Sequence, residues 1–142
     1  MSMNPIGMNN SPTSAIVQTV LVVDDDDSIQ SMVKHLLERE GFRVALCSNG
    51  REALDYLRKS PDLPALILLD LRMPVMSGWE FRAVQKQDPR LSTVPVVVIT
   101  SVSTAESDIA SISAAAYVKK PIQVGVLMNT VKFHLLPTKV AA

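Results

Sequence analysis

The chain has 142 residues, with 14 Lys plus Arg against 14 Asp plus Glu and a formal net charge of zero. That length supports one hydrophobic core of ordinary size. The balanced charge supplies no overall field toward nucleic acid, an anionic membrane surface or a strongly charged substrate. One cysteine, Cys47, excludes an internal disulfide, the first 20 residues lack a signal-peptide pattern, and no apolar run nears the roughly 20 residues that cross a bilayer, so a cytoplasmic protein off the membrane is expected.

Residues 1–15 are rich in Asn, Ser, Pro and Met without hydrophobic period, and read as a disordered leader before one domain over 17–136, with 137–142 a short tail. Val20-Leu21-Val22-Val23 is a continuous β-branched run, as in a strand covered on both faces, and it stops at four aspartates. Ile29, Met32, Val33, Leu36 and Leu37 follow at helical spacing, with Gly41 where a helix C-cap would sit. A second strand is read over 42–47 and a helix over 51–59, before Pro61. A third strand over 65–69 ends at Asp70, and Gly78 opens a helix to about Gln87 that stops at Asp88-Pro89.

The fourth strand is read over 94–99, ending at Thr100. Ser103 and Glu106 have capping-box spacing for a helix through about Ile112, and Ala116-Tyr117-Val118 is a short fifth strand running into Lys120-Pro121. The last helix carries Val124, Leu127, Met128, Val131 and Leu135 on one face and is expected to end at Pro137. Strands alternating with helices predict an α/β domain with a parallel sheet.

Short right-handed βα connections bring every strand's C-terminal end to one sheet edge, where open α/β folds bind ligands. That edge collects Asp24 and Asp25, Asp70, Thr100 with Ser101, and Lys120. Like-charged carboxylates in contact repel by about 4 kcal/mol per pair at 4 Å and an effective dielectric near 20, so three of them require a cation or a proton. Mg²⁺ fits, being a hard ion held by one or two carboxylates plus phosphate oxygens, and Lys120 adds a fixed positive charge. A carboxylate nucleophile, a cation, a lysine and a threonine hydroxyl are the parts that phosphoryl transfer asks for.

At these residues the sequence resembles the receiver domain of two-component response regulators, of the stand-alone type, across residues 17–136. The resemblance is carried by Leu21-Val22-Val23-Asp24-Asp25, by Leu68-Leu69-Asp70-Leu71-Arg72-Met73-Pro74 with Gly78, by Val98-Ile99-Thr100-Ser101, and by Tyr117-Val118-Lys119-Lys120-Pro121. Each piece alone is weak; four in order on successive strands are specific. The resemblance implies a flavodoxin-like, five-stranded parallel sheet of order 2-1-3-4-5 with five flanking helices and a cis Lys120-Pro121 peptide. It also implies Asp70 as phosphoacceptor, Asp25 as a direct Mg²⁺ ligand, Asp24 as a ligand through water and the Arg72 backbone carbonyl as another. Thr100 and Lys120 would hold the phosphoryl group, and Tyr117 would switch rotamer on the output face.

The sequence departs from that pattern in places. The interval from Thr100 to Lys120 is about two residues short, with Ser113-Ala114-Ala115-Ala116 before the fifth strand, so a shortened fourth helix is expected. Arg72 and Val102, two positions after Asp70 and Thr100, are expected to exclude attacking water and lengthen the phosphorylated lifetime. Asp26 or Asp27 is expected to cap the first helix. His35 and His134 read as packing or surface residues, Cys47 as a small buried apolar residue, and Trp79 as a packing aromatic.

The function implied is a Mg²⁺-dependent phosphoacceptor, charged by a sensor histidine kinase or a histidine phosphotransfer protein. Output would be through a downstream protein contact or onward phosphotransfer, and possible dimerisation on phosphorylation would extend it. Direct nucleic-acid binding is not expected. An aspartate-nucleophile phosphatase of the haloacid dehalogenase type would need a second Asp where Arg72 stands. A phosphorylation-independent scaffold would be favoured if the short 101–119 segment disabled switching.

Overall fold

The computed structural model describes residues 17–101 and 104–140, with side chains as far as Leu135. The expected leader, Val102, Ser103 and the end of the tail lie outside them. Five strands, β1 (Thr19–Val23), β2 (Arg43–Cys47), β3 (Leu66–Asp70), β4 (Val96–Thr100) and β5 (Ala116–Lys119), form one sheet of order β2-β1-β3-β4-β5. Every pairing is parallel, with Val20 between Val44 and Leu66, and Val98 between Leu69 and Tyr117. This is the expected 2-1-3-4-5 topology.

The helices are α1 (Asp27–Arg39), α2 (Gly50–Lys59), α3 (Gly78–Gln87), α4 (Glu106–Ala110) and α5 (Val124–Val140), with a 3₁₀ turn at Leu91–Thr93. Strand side chains alternate between faces, so each apolar run feeds two cores. Leu21, Val23, Ile67, Leu69, Val96 and Val98 pack with Leu54, Leu57 and Phe81 of α2 and α3. On the other face, Val20, Val22, Leu66, Leu68 and Val97 pack with Val33 and Leu37 of α1 and Leu127, Val131 and Leu135 of α5.

Side chains and turns fix the helix ends. The Asp26 carboxylate accepts from the backbone N–H groups of Ser28 and Ile29, making it the α1 cap. At the other end Gly41 takes a φ of 94°, and the N–H groups of Gly41 and Phe42 donate to the carbonyls of Glu38 and Leu37, a Schellman closure. Ser77 and Glu80 form a reciprocal capping box on α3.

Several boundaries differ from expectation. Pro95 has no N–H to give a ladder, and β4 starts after it, at Val96. Helix α4 stops at Ala110 rather than Ile112, because Ser113 adopts a φ of 55° and the chain must turn for the Ala115 N–H to reach the Val96 carbonyl. Its N-cap is Ala105, which offers no side-chain bond. Helix α5 runs past Pro137 to Val140, giving up the one backbone bond that proline cannot donate. Val124, expected inward, is exposed at the start of α5, and in α1 Gln30 is buried while Met32 faces out.

Candidate functional site

Asp24 follows β1 with its backbone N–H bonded to the Cys47 carbonyl, so the ends of two neighbouring strands set its position. Gln30, buried in α1, donates its amide to both the Asp24 carbonyl at 2.7 Å and the Cys47 carbonyl at 2.9 Å. Asp24 is 1% exposed. Its Oδ1 accepts from the Asp26 N–H at 2.9 Å, whereas its buried Oδ2 has no hydrogen-bond partner and lies 3.6 Å from Lys120 Nζ.

Asp70 ends β3, and its Oδ1 accepts from the Leu71 N–H at 2.9 Å and from Lys120 Nζ at 3.4 Å. Lys120 follows β5, held by its N–H to the Thr100 carbonyl at 2.7 Å and joined to Pro121 by the expected cis peptide. Gly78 allows α3 to start against this strand end. Its N–H donates to the Leu71 carbonyl, and a Cβ there would lie 2.4 Å from the Asp70 carbonyl oxygen and 2.9 Å from the Leu71 Cα.

Burial, reinforced by the neighbouring Asp24 charge, pushes the Asp70 carboxyl up to about 6 against the pull of Lys120 and the Leu71 N–H. Asp24 is also raised, chiefly by burial, while its bond from the Asp26 N–H and the charge of Lys120 oppose the rise. One lysine therefore leaves two buried carboxylates undercompensated. Oxygens of Asp24, Asp25 and Asp70 all lie within 4.8 Å of one another. All three are the hard oxygen donors that Mg²⁺ takes, and together they carry more negative charge than Lys120 offsets, so the donor set fits that ion. The unpartnered Asp24 Oδ2 is the atom most in need of it.

A cavity of about 410 Å³ opens on this edge, lined by Asp25, Asp26, Asp70, Leu71, Arg72, Ser101, Thr104 and Lys120. The structure thus brings Asp24, Asp25, Asp70, Arg72 and Lys120 together. Thr100 is the exception: its hydroxyl donates to the Ser101 carbonyl at 3.3 Å. It lines a second cavity, of about 650 Å³, shared with Tyr117, Ile109 and Lys119. Ser101 and Thr104 line both cavities, and Thr104, which sequence reasoning did not single out, is buried at their boundary. Gln30 was also missed, because its i+1 offset from Ile29 looks like the polar side of an amphipathic helix. His35 is exposed, His134 Nδ1 lies 2.9 Å from the Thr130 carbonyl, and Cys47 is buried with its thiol pushed up to about 11 by burial.

Residues 20–132 match the family model of the response regulator receiver domain. The chain belongs to that family. A curated relative, the polar-differentiation response regulator DivK of Brucella anthropi, is 32% identical over 120 residues, covering 83% of this chain and 96% of its own. The crystal structure of the chemotaxis response regulator CheY4 of Vibrio cholerae superposes with a TM-score of 0.75 at 29% identity, covering 84% of this chain and 99% of that one. The phosphorylated cyanobacterial phytochrome response regulator RcpA does so with a TM-score of 0.70 at 30% identity, covering 82% and 90%. Receivers are components of two-component signal transduction, signalling modules rather than enzymes with a separate substrate. Among the described residues no helix of this receiver is long and apolar enough to cross a membrane.

Proposed function

We propose that this receiver accepts a phosphoryl group on Asp70 from the phosphohistidine of a sensor kinase or histidine phosphotransfer protein, in a Mg²⁺-dependent step. The observation that supports it is the meeting of Asp25, Asp70 and Lys120 in one cavity at the strand ends, with the buried Asp24 carboxylate against them. Asp70 Oδ1 is engaged by Leu71 and Lys120, which leaves Oδ2 as nucleophile. Oδ2 attacks phosphorus, the P–N bond breaks with its electron pair passing to the imidazole nitrogen, and an aspartyl phosphate forms. Water later attacks phosphorus, the P–O bond to Asp70 breaks, and carboxylate and inorganic phosphate are released.

Bound Mg²⁺ would neutralise charge on the transferring phosphoryl oxygens. Asp25 and Asp70 would hold it directly, Asp24 through water, and Arg72 through its backbone carbonyl. Lys120, already midway between Asp24 and Asp70, stabilises the product oxygens without moving to a new element. Thr100 would turn from the Ser101 carbonyl toward the phosphoryl group, and the 650 Å³ cavity gives the Tyr117 ring space to follow. The output is a changed protein contact or onward phosphotransfer in the cytoplasm, with dimerisation as one form of that contact. The signalling unit is the domain that begins at residue 17, with 1–15 a leader, and the expected tail from 137 is taken up by the end of α5 as far as Val140.

Incubation with Mg²⁺ and acetyl phosphate, followed by intact mass, tests this. Wild type should gain one phosphoryl group, Asp70→Asn none, and chelator should abolish the gain. No gain in wild type with Mg²⁺ bound would overturn the reading and favour a phosphorylation-independent scaffold. Arg72→Asn should shorten the phosphorylated lifetime, measured by loss of the added mass after the donor is removed.

A further inference from the structure

Arg72 lines the Asp70 cavity, yet its guanidinium also lies over the Trp79 ring, with Cζ 5.5 Å from the ring centroid. The Trp79 indole N–H in turn donates to the Asp108 carbonyl of α4 at 3.0 Å. Three residues on, Arg82 donates to the carbonyls of Ile112 at 3.1 Å and Ser113 at 2.8 Å, clamping the turn after α4. Helix α4 has no fully buried residue and no side-chain cap; Ile109 packs half-buried on the core, Ile112 anchors the exit, the Tyr117 hydroxyl donates to the Ile109 carbonyl, and on the α3 side the Trp79 and Arg82 bonds are its tethers. A segment so attached opens at low free-energy cost.

We propose that Trp79 is a positioning residue that keeps Arg72 at the mouth of the phosphoacceptor cavity and couples its movement to α4. The inference rests on Asp70 phosphorylation as read above. Arg72 is exposed, and a cation–π contact at an exposed site is weak beside the charge-assisted, two-pronged bonding a guanidinium makes to a phosphoryl group. A phosphoryl dianion on Asp70 therefore draws Arg72 off the indole. Trp79, without its stacked cation, loosens its bond to Asp108. Arg82 keeps the far end of the segment in place, so α4 pivots about the Ile112–Ser113 turn rather than detaching. This route reaches α4 from the α3 side, opposite the Thr100–Tyr117 cavity.

Trp79 is the only tryptophan in the chain, so its fluorescence reads the contact directly. The probe is beryllium fluoride with Mg²⁺, a phosphoryl mimic whose bound form is seen independently by fluorine NMR. Trp79 emission should change with the same midpoint as the bound fluorine signal, and hydrogen exchange over residues 106–112 should accelerate at least several-fold. In metal-free protein, Arg72→Gln alone should move the resting emission toward the value of the adduct, and Trp79→Phe, which keeps a ring but loses the N–H donor, should show fast exchange over 106–112 at rest. A bound fluorine signal with unchanged Trp79 emission would overturn the proposal while leaving the phosphoacceptor reading standing. So would an Arg72→Gln protein whose resting emission equals wild type. Absence of any bound fluorine signal in wild type would overturn both.

Discussion

At Asp70, burial and neighbouring charge act on a single carboxyl. Its carboxyl titrates near 6 in the metal-free fold, above the 3.8 of an unperturbed carboxyl. The folded state therefore holds the proton more tightly than the unfolded chain. Stability from this group is full below about pH 4 and is lost as pH rises through 6. Metal-free Asp70→Asn should exceed wild type by about 1–3 kcal/mol at pH 7, with the gap closing near pH 4, as urea melts at the two pH values would show. Val75 carries a different strain. It has a φ of 67°, is 80% exposed, and sits in a tight turn closed by the Met76 N–H on the Pro74 carbonyl. A β-branched residue is costly in that region and here buries nothing in return. Val75→Gly should stabilise by about 1 kcal/mol, net of glycine's greater freedom when unfolded, measured by denaturant midpoint.

At the level of elements, the site depends on how closely helices approach strand ends. Gly78→Ala would drive a methyl into the Asp70 carbonyl, costing about 1–3 kcal/mol and, on the proposed function, slowing acetyl phosphate labelling, because relief requires moving α3 or β3. Gln30→Leu should cost about 1–3 kcal/mol in thermal or urea unfolding, because the Asp24 carbonyl loses its side-chain donor. The strands and the acidic edge were legible in the sequence, since continuous apolar runs ending in Asp, Thr and Lys carry both periodicity and chemistry, whereas the strand order came only through the family resemblance. The buried brackets were not. Gln30 and Gln85 look like ordinary polar positions on helices until folding brings loop and strand carbonyls against them. The shortened α4 was foreshadowed by the interval from Thr100 to Lys120, but its attachment through Trp79 and Arg82 depends on contacts 29 to 31 residues away in sequence.

Across the whole molecule, Mg²⁺ binding at the carboxylate cluster would be linked to folding. The three carboxylates exist as a cluster only when β1 and β3 lie side by side, so Mg²⁺ should favour the folded state over the unfolded one. At about ten times its Kd it should add about 1.4 kcal/mol, or roughly 4 °C in Tm, and Asp25→Asn should remove most of that increment in a melt with and without chelator. The arrangement of strands carries one more consequence. Asp25 follows the first strand and Lys120 the last, so the cavity at the strand ends draws its lining from nearly the full run of the domain. A chain still emerging from the ribosome presents its aspartates long before the lysine that faces them, so the two sides of the cavity meet only after synthesis has passed β5. A product truncated before β5 therefore lacks both an edge strand of the sheet and the lysine that faces Asp24 and Asp70.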